Sequence, residues 1–129
     1  FLECAEVYGK WYGVPRSQIR DSLQNGNDVI LKVDVQGAAT VRALAPGVVS
    51  ILIVPKSLAE LRQRLIGRMT ESSPEIELRL RTAAQELEQV QEFDYCVINE
   101  DGHLDRAIRS IEAIITSEKC RVTPRIVQL

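Results

Sequence analysis

A chain of 129 residues, 45% apolar and 26% charged, has the size of one domain with a single modest core, and this composition argues against intrinsic disorder and against membrane spanning. Its net charge of −2 argues against a polyanion-binding surface, so its arginines are expected to meet one small anion, with neither nucleic acid nor membrane as a partner. Cys4, Cys96 and Cys120 are odd in number and widely spaced, with only His103 to help. They support neither a disulfide framework nor a zinc site, and they suggest a reducing, cytoplasmic setting in which the cysteines are small buried hydrophobes and His103 a surface turn residue.

No basic-then-apolar leader is present, and the chain opens on Phe1-Leu2-Glu3 without Met, as expected of a piece of something longer. Phe1 to Tyr8, then Gly9-Lys10 and Trp11-Tyr12-Gly13, predict a hairpin or meander rich in aromatics. Ser17 to Gln24 predicts a short helix stopped at Asn25-Gly26. Asp28 to Asp34 is a β-branched run predicted as a strand, and Gly37 to Ala45 reads as a helix closed by Pro46-Gly47. Val48 to Val54 is continuously apolar, so a strand buried on both faces is expected, ended by Pro55. Ser57-Leu58-Ala59-Glu60 is a capping box that starts a helix with Leu58, Leu61 and Leu65 inward. Small polar residues interrupt it from Met69 to Ser73. Ser72-Ser73-Pro74-Glu75 starts the next helix, whose stripe is Ile76, Leu80, Ala83, Leu87 and Val90. Tyr95 to Asn99 predicts a buried strand, and Leu104, Ile108, Ile111 and Ile115 a last helix. Strand and helix alternate, which predicts the α/β class.

In open parallel sheets ligands lie beyond the carboxyl ends of the strands, so Asp34 and Asn99 are expected on one rim. Arg64 and Arg68 are four apart, share a helix face and can fork onto one phosphate. With Arg79 they flank the helix break, as in a mobile arginine-lined cover. Blander readings stand beside these. Arg62 and Arg81 can be solvated or paired with Glu77. Glu3 can be a solvent-facing strand residue, Tyr12 a packed aromatic, and Asp34 a cap for the next helix. No Gly-rich loop ending in Lys and Ser or Thr occurs in the 129 residues, so the usual cradle for β- and γ-phosphates is absent from them.

Six pieces, in order and at fitting intervals, resemble bacterial-type guanylate kinase across essentially the whole chain: Phe1-Leu2-Glu3 with Ala5-Glu6, Gly9-Lys10-Trp11-Tyr12-Gly13, Val33-Asp34-Val35-Gln36-Gly37-Ala38, Pro55-Lys56-Ser57-Leu58, Arg64-Leu65-Ile66-Gly67-Arg68 and Asp94-Tyr95-Cys96-Val97-Ile98-Asn99. The resemblance implies an α/β, P-loop NTPase-like parallel sheet flanked by helices, of the nucleoside monophosphate kinase type, here without its N-terminal strand and P-loop. It divides the chain into the end of a GMP-binding subdomain (1–17), core (18–58), lid (59–79) and core (80–129). The implied reaction is transfer of the γ-phosphoryl of ATP to GMP with Mg2+, giving ADP and GDP, in purine nucleotide metabolism; the 129 residues alone would be inactive.

By matching position, Glu3 would accept from guanine N1 and its amino group, and Tyr12 would donate to the GMP phosphate. Val14 stands at a guanine-contacting position where the family usually has a small hydroxyl residue. Arg64 and Arg68 would close over the ATP phosphates with Asn99 on the ATP side, and Arg79 would lie between the nucleotides. Asp34, also on the GMP side, would organise metal-bound water without ligating the metal directly. Lys32 replaces a usual acidic residue two before Asp34, which puts the metal network in question, and Met69 replaces a usual hinge glycine. The alternative is a non-catalytic guanylate-kinase-like module that binds a phosphorylated protein partner. Because the family's phosphate-loop strand lies between those matching Asp28–Asp34 and Val48–Val54, the fragment is expected in one of three forms. It is accompanied by that segment, pairs the two strands directly, or fills the gap with a second copy as a homo-oligomer or by strand exchange.

Overall fold

The computed structural model describes residues 3–7, 10–68 and 73–129, with 3–7 and 10–14 by backbone alone. It is α/β, and it divides into two units, residues 1–49 with 125–129, and residues 50–124.

The first unit opens with an antiparallel hairpin of β1 (Glu3–Val7) and β2 (Lys10–Val14). Helix α1 (Arg16–Gln24) follows, and Gly26, at φ +80°, takes the left-handed turn that ends it, its N–H bonded to the Leu23 carbonyl at 3.0 Å. Helix α2 is Val35–Leu44 and runs beside β1. The core joins Ile19 of α1 to Val41 and Ala45, with Leu23, Val29, Leu31, Val48, Val127 and Leu129 around them. Residues 125–129 are thus part of this core, and the Gln128 N–H donates to the Pro46 carbonyl at 3.0 Å. The same segment explains Gly47, whose φ is +92° and where a Cβ would collide with the Ile126 carbonyl.

The predicted strand at Asp28 to Asp34 does not form: no ladder includes these residues among those described. A strand exists through neighbours that take up its N–H and C=O groups. Here Val29 and Leu31 turn into the helical core instead.

The second unit is built on a parallel pair, β3 (Ile51–Pro55) and β4 (Tyr95–Asn99), flanked by helices α3 (Leu58–Arg68), α4 (Ser73–Leu87) and α5 (Leu104–Lys119). A short 3-10 turn at Val90–Glu92 leads into β4. The pair is started by a clamp between Ser50 and Asp94. Ser50 N–H and Oγ donate to Asp94 Oδ2 at 2.9 and 3.1 Å, and Asp94 N–H returns to Ser50 Oγ at 3.2 Å. Helix α5 packs on β4, and Tyr95 Oη donates to Glu118 Oε1 at 2.8 Å. Helices α3 and α4 share a separate small core of Leu61, Leu65, Ile76 and Leu80.

Four expectations are corrected here. Strand Val48 to Val54 starts later and is not buried on both faces, since Ile53 is 54% exposed beside buried Leu52 and Val54. Parallel register sets Leu52 beside Cys96 and Ile53 beside Val97, so residues that share a face differ in cover: Leu52 is buried and Cys96 exposed, Val97 buried and Ile53 exposed. Each face is therefore covered over one strand only. The cysteines expected to be buried are not: Cys96 and Cys120 are exposed and free, Cys96 on that uncovered face and Cys120 capping α5, while Cys4 lies outside the described side chains. On α5 the buried stripe passes through Ala107, with Leu104 (61%) and Ile108 (46%) exposed, because the small residue lets the helix close on its strand. Leu58, expected to face inward, is exposed at the first position of α3.

Candidate functional site

The carboxyl ends of β3 and β4 carry a dense charged rim. Lys56 follows β3, and its Nζ meets Glu100 Oε1 at 2.8 Å just after β4. Arg106, in the first turn of α5, approaches Glu100 Oε2 at 3.6 Å. The Lys56 bond holds the Glu100 carboxyl below the ordinary range and pushes Lys56 up. The loop between β4 and α5 is thereby tied to the residue just after β3.

Helix α3 enters from this rim. Ser57 Oγ accepts the Glu60 N–H at 3.1 Å, half of the predicted capping box. One turn later Arg64, one quarter exposed, reaches back past the end of β4. Its Nη2 donates to the Asn99 carbonyl at 3.3 Å and lies 3.5 Å from Glu60 Oε1, while Nε is 3.8 Å from Asp101 Oδ1. These contacts are longer than the 2.7–2.9 Å of a tight charge-assisted bond. Such loose pairs each contribute about 1 kcal/mol or less. The guanidinium is held by several weak contacts and by no single tight pair.

The structure thus brings together Arg64 and Asn99, two residues that the resemblance implies meet one nucleotide. Arg68 ends α3 and is exposed. Arg79 is half-buried on α4. Arg62 pairs with Glu77 at 2.6 Å and joins α3 to α4. In the first unit Asp34 is the N-cap of α2, its Oδ1 accepting the Gly37 N–H at 2.8 Å. The hairpin register sets Glu3 opposite Val14 and Tyr12 opposite Ala5, which places Glu3, Tyr12 and Val14 on one face of the ladder. Their side chains, and Met69 at the predicted hinge, lie outside what is described. Lys32 is exposed. Among the described residues no group of three or more His, Cys, Asp or Glu is arranged to hold a metal ion, and no helix is long and apolar enough to cross a membrane.

Sequence reasoning set Glu100 and Asp101 just past the end of their strand without giving them partners, and it missed Glu60 as a rim residue. For Glu60 the signal was there, in a Glu four before Arg64, but a capping box accounted for it.

Comparison with known proteins bears on this arrangement. The guanylate kinase family model matches residues 1–118. Guanylate kinase of Caldanaerobacter subterraneus subsp. tengcongensis is 48% identical over 122 residues, 95% of this chain and 58% of the relative. Guanylate kinase 2, chloroplastic/mitochondrial, of Oryza sativa subsp. japonica is 43% identical over 129 residues, 99% of this chain and 45% of the relative. The crystal structure of guanylate kinase from Anaplasma phagocytophilum superposes with a TM-score of 0.74 at 31% identity, covering 93% of this chain and 56% of that one. The chain spans about half the length of these relatives. With a family match from Phe1 through nearly all of α5, and relatives so similar, the chain belongs to the guanylate kinase family.

Proposed function

We propose that the complete protein of which this chain is part phosphorylates GMP with ATP, giving GDP and ADP. In a chain of this family, the placement of Arg64 beyond the carboxyl end of β4, 3.3 Å from the Asn99 carbonyl, carries the reading. Phosphoryl transfer asks the protein chiefly to position charge and exclude water. In this reading Arg64 and Arg68 meet the ATP phosphates with Asn99 beside them, Arg79 lies between the two nucleotides, and residues 59–79 form the lid. The shared core of α3 and α4 lets them move as one body. Glu3 accepts from guanine N1 and its amino group, Tyr12 donates to the GMP phosphate, and Val14 lines the base.

Mg2+, brought in with ATP, would neutralise charge on the transferring phosphoryl group. Asp34 fits a water-mediated role: Oδ1 is taken up by the Gly37 N–H, leaving Oδ2 to accept from a metal-bound water. Cytoplasmic residence, and pairing of the isolated chain with a second copy, belong to the same reading; mixed charge and exposed Ile53 and Ile98 support them.

The test is a coupled assay of ADP release by the full-length gene product. Turnover is expected with GMP, ATP and Mg2+, and little with AMP. The 129 residues alone should form no GDP above background, since no Gly-rich loop with Lys and Ser or Thr lies within them. Failure of the full-length protein to turn over GMP, or turnover that purifies with the short chain, would overturn the respective statement.

A further inference from the structure

Glu60 does more than the helix cap that its spacing suggests. In a capping box its carboxylate would fold back to the Ser57 N–H. Here Oε1 instead accepts the Asp101 N–H and faces Arg64 Nη2 at 3.5 Å. Its side chain is only 20% exposed, so its charge is less screened than those of the open surface pairs nearby. One carboxylate therefore touches both the loop after β4 and the arginine that crosses the end of that strand. The loop is independently fixed, because Lys56 and Arg106 hold Glu100 from two sides. Asp101 supplies a weaker second anchor at 3.8 Å and is largely exposed.

We propose that Glu60 is the positioning residue for Arg64, its charge holding the guanidinium at the end of β4 beside Asn99 until the donor phosphate takes its place. The inference rests on the reading of Arg64 as a ligand of the ATP phosphates. Its physical content is pre-organisation. Arginine has a long, flexible stem, and ordering it before closure removes a cost that would otherwise fall on lid closure itself. The spacing of four residues keeps donor and acceptor on one helix face throughout. The anchor is loose enough to exchange, as its distance shows.

Glu60→Gln separates the two contacts. The amide oxygen still accepts the Asp101 N–H, while the charge facing Arg64 is gone. In the full-length protein, kcat/KM for ATP is expected to fall by up to about fivefold, with KM for GMP and Tm unchanged. Glu60→Gln combined with Arg64→Ala should be no slower than Arg64→Ala alone, because the charge has nothing left to position. Wild-type ATP kinetics in Glu60→Gln, a lowered Tm without a kinetic change, or losses that multiply in the double variant would overturn the proposal while Arg64 kept its role. Unchanged ATP kinetics in Arg64→Ala would overturn the role of Arg64 itself, and the positioning of it by Glu60 along with it.

Discussion

Asp34 has two oxygens, and the proposed function asks a different purpose of each. Oδ1 caps α2 through the Gly37 N–H at 2.8 Å, so Asp34→Ala should lower stability by about 1 kcal/mol, read as a drop in Tm. Asn caps as well as Asp but carries no charge. Asp34→Asn should therefore keep Tm and reduce turnover of the full-length protein, and full activity in that variant would leave Asp34 a cap alone. Glu3 poses a similar question. Guanine offers a carboxylate two adjacent donors, at N1 and its amino group, where adenine has an acceptor and a C–H, so Glu3→Gln should cost GMP kcat/KM on the order of 10²-fold or more and AMP use far less. Equal losses for both bases would make Glu3 structural. At this scale the sequence showed which side chains carry charge but not which partners they take. Arg62 and Glu77 pair as their chemistry suggested, whereas the hold of Glu60 on Asp101 crosses 41 positions of sequence and leaves no local trace.

Helices α3 and α4 form an element with its own chemistry. Arg62 donates to Glu77 at 2.6 Å across the pair, and this bond holds the Glu77 carboxyl below its ordinary 4.5. A carboxyl lowered in the folded state contributes stability above its unfolded pKa and loses it as pH falls through the folded one. The Arg62–Glu77 and Lys56–Glu100 bridges should thus persist through neutral pH and open only in acid. At the basic end the raised Lys56 keeps its contribution below 10.5 and loses it as pH climbs past its higher folded value. Side-chain NMR titration should place Glu77 and Glu100 below 4.5, and Arg62→Ala should return Glu77 alone; midpoints at the ordinary value would refute both. The elements themselves were largely legible. Period, caps and breakers located the hairpin, all five helices and β4, because those signals are local. What failed depended on neighbours. Asp28 to Asp34 has strand residues but no ladder, and α5 turns Ala107 inward in place of Leu104, since only the approach of β4 decides between two adjacent stripes.

For the molecule as a whole, the uncovered halves of the parallel pair matter most. Ile53 is 54% and Ile98 56% exposed, on strands that each have one ladder partner among the described residues. Exposed apolar residues next to an unpaired strand edge are prone to edge-to-edge association. The isolated chain should therefore self-associate with rising concentration, as read by light scattering, and Ile53→Lys with Ile98→Lys should suppress this. A monomer at every concentration before substitution would show that these surfaces do not drive association.

The docking of residues 125–129 against Gly47 and the core of the first unit has a consequence in time. A ribosome releases the chain from its amino end, so residues 50–124 are all available before Val127 and Leu129 emerge to complete the cluster of Ile19, Val41 and Ala45. Val48 and Val127 are separated by roughly 80 residues, several seconds of synthesis at about 5–20 residues per second. During that interval the segment made first waits with its apolar positions uncovered while the segment made later can already fold. Of the two units, the one translated earlier is thus the later to finish.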